Sequence, residues 1–314
     1  MGGPCALVCC AGAAVRDRKL HLLGQPVPGT SNPARAAGAD GGVARNVAEA
    51  LGRLGVPVRL VSRVGDDGTG TALLERLAAA GVDTGPVRVV PGGLTGEYVA
   101  LLDPAGDLLY GASAMALVDG IDAADLDRGW PEPAGSWLFL DCNLAAGTLA
   151  HGLTRARGAG LPVAVDAVST PKVRRLPADL TGIEVLFCNR DEAAAYLAGG
   201  GPARGGADGT DAALAAALRA AGAAGVVLTR GPGGVLVADR TGQHPVAALP
   251  AVTVDVTGAG DALVAGTLAG LLAGRSLPRA AELGAAAAAL TVESEHTVRP
   301  DLSAALVEGA AGRA

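Results

Sequence analysis

What this chain of 314 residues lacks narrows its function before any motif is considered. No run of lysine and arginine exceeds two residues (Arg18-Lys19, Arg174-Arg175), and 25 basic residues face 31 acidic ones for a net charge of −6 and a pI near 5.2. The basic footprint that nucleic acid or an anionic membrane requires is therefore missing, and neither is expected as a partner. Mean hydropathy is positive at +0.36. Yet Gly, Pro or a charge interrupts every apolar run before the roughly 18–20 residues of a membrane span. The first ten residues have no basic n-region and no cleavage site behind an apolar stretch, so no signal peptide is expected and the chain reads as cytoplasmic. None of the cysteines Cys5, Cys9, Cys10, Cys142 and Cys188 forms a C-x-x-C pair. Cys9, Cys10 and Cys188 sit in apolar, strand-like runs, the pattern of buried thiols in a reducing compartment. His21, His151, His244 and His296 lack H-x-x-x-H spacing and read as surface or core residues. No G-x-S-x-G elbow exists for a serine hydrolase, and Gly231-Pro232-Gly233-Gly234 lacks the G-x-G-x-x-G spacing of a dinucleotide fingerprint.

What is present is a globular composition. Half the residues are hydrophobic, and 48 glycines with 19 prolines stay below the level of a low-complexity chain. The length suits two domains or one large α/β domain. Short apolar runs at 7–10, 58–61, 137–140, 163–165, 184–187 and 226–229 read as strands covered on both faces. Helical candidates lie between them at about 43–54, 70–80, 145–157, 191–197 and 211–221. This alternation predicts a doubly wound, mostly parallel sheet with helices on both faces. After Thr229 the order changes to a Gly-rich hairpin, two strands and three helices near 260–273, 278–292 and 301–308. Two strand-rich stretches, about 16–40 and 87–113, interrupt the α/β alternation, the second with Pro and Gly in its turn. With no Pro/Ser-rich linker between them and the rest, they predict a small β flap on a single domain. Asp66-Asp67-Gly68 reads as a turn and cap ahead of the 70–80 helix rather than a metal site.

Three segments carry chemistry. In Asp255-Val256-Thr257-Gly258-Ala259-Gly260-Asp261-Ala262, small residues let the amides of Gly258, Ala259 and Gly260 converge at a helix N-terminus, a site suited to phosphate. Asp261 at the same terminus can take a proton from a hydroxyl nucleophile. The plainer alternative makes Asp261 a helix-terminal carboxylate and the glycines a turn. In Gly41-Gly42-Val43-Ala44-Arg45-Asn46, paired glycines open a helix whose first turn carries Asn46, a donor and acceptor for a vicinal diol. In Asn189-Arg190-Asp191-Glu192, Asn189 and Glu192 share one face of a helix start. There they either hold Mg²⁺ through water beside ATP phosphates or leave Asn189 as a plain N-cap.

In this order the three segments resemble the signatures of the PfkB or ribokinase family of carbohydrate kinases, and the resemblance spans nearly the whole chain. Within that family the finer similarity is to the pseudouridine kinases. It rests on Ser31-Asn32-Pro33, Asp141-Cys142-Asn143, Val165-Asp166-Ala167-Val168-Ser169 with Lys172, and Pro300-Asp301-Leu302-Ser303. The resemblance implies a Rossmann-like core with a β lid that pairs two chains into a homodimer, and ATP-dependent phosphorylation of a primary hydroxyl, the 5′-hydroxyl of pseudouridine. Other sugars and nucleosides (ribose, adenosine-type nucleosides, fructose) remain alternatives, as does a catalytically weak nucleoside- and ATP-binding regulator. Carried over by position, Asp261 is the base and Gly258, Ala259 and Gly260 the anion hole. Asp17, Gly41, Gly42, Asn46, Ser31, Asn32 and Asn143 bind the acceptor. Asn189, Thr229, Gly231, Gly234, Thr257 and Lys172 line the nucleotide site, and Asn189 and Glu192 organise Mg²⁺. Asp255 is either a ligand for a monovalent cation such as K⁺ or a structural residue. Two departures bear on the acceptor: Val15 stands where the family often has Asn, and Ser113-Ala114-Met115-Ala116 replaces a more polar Asn-Asp-Met-Asn.

Overall fold

A computed structural model describes residues 6–131, 134–199 and 209–312. Cys5 lies outside them. In chain order the strands are β1 (Val8–Ala11), β2 (Val15–Leu22), β3 (Ala34–Gly41), β4 (Val58–Val61), β5 (Arg63–Gly65), β6 (Val82–Asp83), β7 (Arg88–Val90), β8 (Glu97–Leu102), β9 (Leu108–Ala114), β10 (Trp137–Asp141), β11 (Val163–Asp166), β12 (Val185–Asn189), β13 (Val226–Thr229), β14 (Val235–Asp239) and β15 (Gly242–Val246). The helices are α1 (Val43–Arg53), α2 (Gly68–Ala79), α3 (Ala116–Asp119), α4 (Ala123–Arg128), α5 (Ala146–Ala159), α6 (Arg190–Ala198), α7 (Asp211–Ala220), α8 (Ala259–Leu272), α9 (Leu277–Val292) and α10 (Ala304–Ala311).

Nine strands form the central sheet in the order β15-β14-β13-β12-β11-β10-β1-β4-β6. Every pair from β13 to β6 is parallel, and β14 and β15 close one edge antiparallel. Alternation along β1 shows why the runs are apolar throughout: Val8 and Cys10 enter one core with α1, α8 and α9, whereas Cys9 and Ala11 enter a second core with α5, α6 and α7. The chain runs outward from β1 through β4 on one side and from β10 through β13 on the other. Connections at the carboxyl ends of β1 and β10 therefore diverge and open a crevice at that switch point.

A four-stranded sheet, β3-β2-β8-β9, stands beside the core and is built from the two predicted excursions. One part of the expectation is corrected: residues 88–90 pair with β5 in a separate two-stranded ribbon, not with the small sheet. The last helix begins at Ala304, not Asp301, because Ser303 accepts from the Leu306 amide as its cap while Asp301 is drawn to Arg299 at 2.7 Å. Asp67 caps α2 as expected, accepting from the Gly70 amide at 2.7 Å. The four described cysteines are buried, and burial pushes the Cys9 thiol up to about 12. No described helix is long and apolar enough to cross a membrane.

Candidate active site

The site forms where the start of α1 meets the ends of β1 and β10. Gly42, the N-cap of α1, has φ of +96°, and a Cβ there would lie 2.3 Å from the Ala13 carbonyl oxygen, so only glycine fits. Asp141, fully buried at the end of β10, accepts from the amides of Ala13 (3.0 Å), Ala44 (2.9 Å) and Asn143 (2.9 Å). One carboxylate thus ties together the β1 end, the α1 start and its own turn. Asp17, on β2, presses against Gly41: a Cβ on Gly41 would lie 2.2 Å from Asp17 Oδ2. Burial raises the Asp17 pKa.

Asp261 reaches this point from the first turn of α8, whose N-cap Gly258 has φ of +82°. A Cβ on Gly258 would lie 1.9 Å from the Thr297 carbonyl oxygen. The Asn46 Nδ2 donates to Asp261 Oδ2 at 2.7 Å. Burial pushes Asp261 up to about 7; the Asn46 hydrogen bond offsets part of this, and the neighbouring charge of Asp141 adds to it. Of the three expected anion-hole amides, that of Ala259 turns back toward the Val256 carbonyl at 3.3 Å, and a Cβ added to Gly260 would meet nothing within 4 Å. Asp17, Gly41, Gly42, Asn46 and Asp261, predicted from segments far apart in sequence, are brought together.

Asn189 and Glu192 form a capping box: Asn189 Oδ1 accepts from the Glu192 amide (2.9 Å) and Glu192 Oε2 from the Asn189 amide (2.8 Å). Asn189 thus caps α6, and it is paired in register with Thr229 across β12 and β13. Burial raises the Glu192 pKa. Asp166, at the end of β11, is a site residue that the sequence reading left unassigned. Burial, then the charges of Asp261 and Glu192, push its pKa well up. Its Oδ1 accepts from the Val168 amide at 2.8 Å, and Val168 is the one described non-glycine residue with positive φ, at +65°. The legible signal was an Asp at the carboxyl end of a central parallel strand. No three described His, Cys, Asp or Glu side chains converge as direct metal ligands. The hard oxygens of Asn189 and Glu192 suit Mg²⁺ held through water.

Lys172, in the 3₁₀ turn 172–175, donates to the side chain of buried Asn143, and burial lowers the pKa of its ammonium group. Gly231 and Gly234 bracket the turn from β13 to β14, beside Thr229. Ser31 and Asn32 are placed elsewhere. They lie beyond the far end of the β2–β3 hairpin, and Asn32 is committed to its own loop through Val27 and Thr30. Strand β2 alone carries the chain about 17 Å from Asp17 to Leu22 at roughly 3.4 Å per residue.

Lys19, also unassigned from sequence, stretches from β2 to the loop before α8, with Nζ 3.4 Å from both Asp255 Oδ2 and Thr257 Oγ1. Asp255 Oδ1 accepts from the Thr257 amide (2.8 Å) and hydroxyl (2.6 Å). Against the effect of burial, these bonds and the ammonium hold Asp255 below the usual carboxylate range. Each carboxylate oxygen thus has a partner within the protein, and an ammonium lies beside the charge. The residues present therefore do not fit a monovalent cation at Asp255. Val15 and Met115 flank Gly96 and make an apolar wall where the small sheet meets the core.

The chain resembles known proteins along most of its length. Residues 6–304 match the pfkB family of carbohydrate kinases. A pseudouridine kinase of Escherichia coli K12 is 33% identical over 279 residues, covering 88% of this chain and 87% of that protein. A solved carbohydrate kinase from Agrobacterium tumefaciens superposes with a TM-score of 0.81 at 31% identity over 98% of this chain and 97% of its own. The fold is also that of Arabidopsis thaliana ribokinase complexed with ribose and ATP, with a TM-score of 0.80 at 22% identity, covering 98% of this chain and 99% of that one.

Proposed function

The chain belongs to the pfkB family of carbohydrate kinases, and from that premise we propose that it phosphorylates the 5′-hydroxyl of pseudouridine with ATP. The observation that carries the reading is Asp261: a half-buried carboxylate at the N-terminus of α8, hydrogen-bonded to Asn46 and beside Asp17.

In this reading Asp17 and Asn46 hold the acceptor's ribosyl hydroxyls, and the primary hydroxyl points at Asp261. Asp261 takes its proton as the oxygen attacks. The first-turn amides of α8, around Gly258 and Gly260, and the helix dipole face the charge that develops on the transferring phosphoryl group. Lys172, carried on the turn after β11, adds positive charge from the Asn143 side. Mg²⁺, organised through water by Asn189 and Glu192, would neutralise nucleotide phosphate charge. Thr229, Gly231, Gly234 and Thr257 line the nucleotide side. A cytoplasmic setting, where ATP is supplied, suits this activity. Pairing of two chains through the small sheet is part of the same proposal, supported by exposed Leu108 and Tyr110 on its edge strand β9.

Val15, Ala114 and Ala116 favour a second reading of the acceptor. They offer no hydrogen bonds to a base, so discrimination against ribose, adenosine-type nucleosides or fructose weakens. A binding-only regulator would have no chemical need for Asp261 at this place. ADP release with Mg·ATP across pseudouridine, uridine, adenosine, ribose and fructose separates these readings. Highest kcat/KM on pseudouridine is expected. Turnover confined to a hexose would overturn the acceptor assignment, and none on any acceptor would favour the regulator.

A further inference from the structure

Beneath the first turn of α1 lies an ion network that the proposed chemistry does not use. Arg45 is 4% exposed, and its guanidinium pairs with Glu49 one helical turn on and with Asp40 at 3.5 Å. Glu49 is held in turn by Arg53 at 2.6 Å, and Asp40 by Arg76 at 2.5 Å. Arg45 Nε has no hydrogen-bond partner, so keeping this side chain buried costs stability. The remaining arm explains its presence: Nη1 donates to Asn46 Oδ1 at 2.7 Å, and Asn46 Nδ2 donates to Asp261 Oδ2 at 2.7 Å.

We propose that Arg45 is a positioning residue for phosphoryl transfer, fixing the Asn46 amide so that its NH₂ group, and never its oxygen, faces Asp261. This inference rests on Asp261 being the base. An amide has two orientations of nearly equal shape, and only its partners choose between them. With the guanidinium on one side, a flipped Asn46 would set donor against donor. Without it, a flipped Asn46 oxygen would accept the proton of neutral Asp261 and stabilise the form that cannot act as a base. The groups facing Asp261 are Asn46 and Arg45 on α1, Asp17 on β2, Asp141 on β10 and Asp166 on β11. Among these Arg45 is the one cation.

The test compares Arg45→Met and Arg45→Lys with Arg53→Met, which loosens the same network without touching Asn46. Acceptor turnover is followed against pH, with thermal midpoints measured alongside. Both Arg45 variants are expected to lower kcat about tenfold or more and to move the acid limb of the pH profile to higher pH, Met more than Lys. Arg53→Met is expected to lower the thermal midpoint and leave the limb in place. A folded Arg45 variant with a wild-type acid limb overturns the inference; where the Met variant does not fold, the Lys variant decides. Asp261→Asn is run in parallel. If it keeps its rate, the base assignment fails; if it is inactive while the Arg45 variants behave as wild type, only the positioning role fails.

Discussion

At Asp261 two influences oppose each other: removal from water favours the neutral acid, while the Asn46 amide favours the carboxylate, and the outcome is an acid that loses its proton near pH 7. A base with that affinity suits proton transfer at neutral pH, since it is half charged and still basic enough to pull. Below about 7 Asp261 is protonated and cannot accept, so kcat/KM is expected to rise with pH through that point; a flat profile from pH 5.5 to 8 would remove Asp261 from the base role. Asp261→Asn should cut kcat by roughly 10²–10⁴-fold, the usual contribution of general base catalysis. Its Mg·ATP affinity, measured by calorimetry, should change little, because the proposed nucleotide contacts are made by the α8 amides and not by the carboxylate.

Among the elements, the α8 entry and the small sheet determine how the site is presented. Gly258 combines a positive φ with a carbonyl 1.9 Å from any added Cβ. Gly258→Ala therefore meets a left-handed penalty of about 1–2 kcal/mol plus a clash with Thr297. A lower thermal midpoint and weaker Mg·ATP binding are expected together. Lys19 joins the small sheet to the same loop through a half-exposed pair with Asp255 of the kind worth about 0–1 kcal/mol. Because its ammonium occupies the charge-neutralising place, turnover should be equal in KCl and choline chloride at constant ionic strength; activation by K⁺ specifically would show Asp255 free to bind an ion.

The same elements show what was legible. Strand β12, helix α6 and the Gly258–Asp261 turn carry their information locally, in apolar runs, caps and small residues, and were readable within a residue or two. Helices α3 and α4, four and six residues long, are too short for a period to register. Lys19, Arg45 and Asp166 act through partners that only the fold supplies. The Lys19–Asp255 contact spans 236 positions, and the Asn46–Asp261 bond through which Arg45 acts spans 215. The Asn189–Glu192 pair illustrates the converse: its spacing fits a capping box and a metal-organising pair equally, and only coordinates show its amides engaged.

For the molecule as a whole, the switch point gathers Asp17, Asp141, Asp166, Glu192 and Asp261 with pKa values raised chiefly by burial. Carboxyls on the periphery, such as Asp67, Asp122 and Asp239, are held low by hydrogen bonds that outweigh their slight burial. These two sets act on stability in opposite directions and in different pH ranges. The low set contributes stability above the unfolded carboxyl range and loses it only in acid, as pH falls through the depressed values. The raised set binds protons more tightly when folded, so its contribution is complete below the unfolded range near 4 and is lost as pH rises through the folded values. Within the raised set Asp261 changes charge near 7. The unliganded protein is therefore expected to melt at a lower temperature at pH 8 than at pH 5.5. Asp261→Asn removes one of the charges that must be buried at pH 8, so calorimetric scans should show its thermal midpoint above wild type there and closer to it at pH 5.5. A variant less stable than wild type at pH 8 would mean that the Asp261 carboxylate is a structural anchor, and the site would no longer be one that gives up folding stability to keep a base out of water.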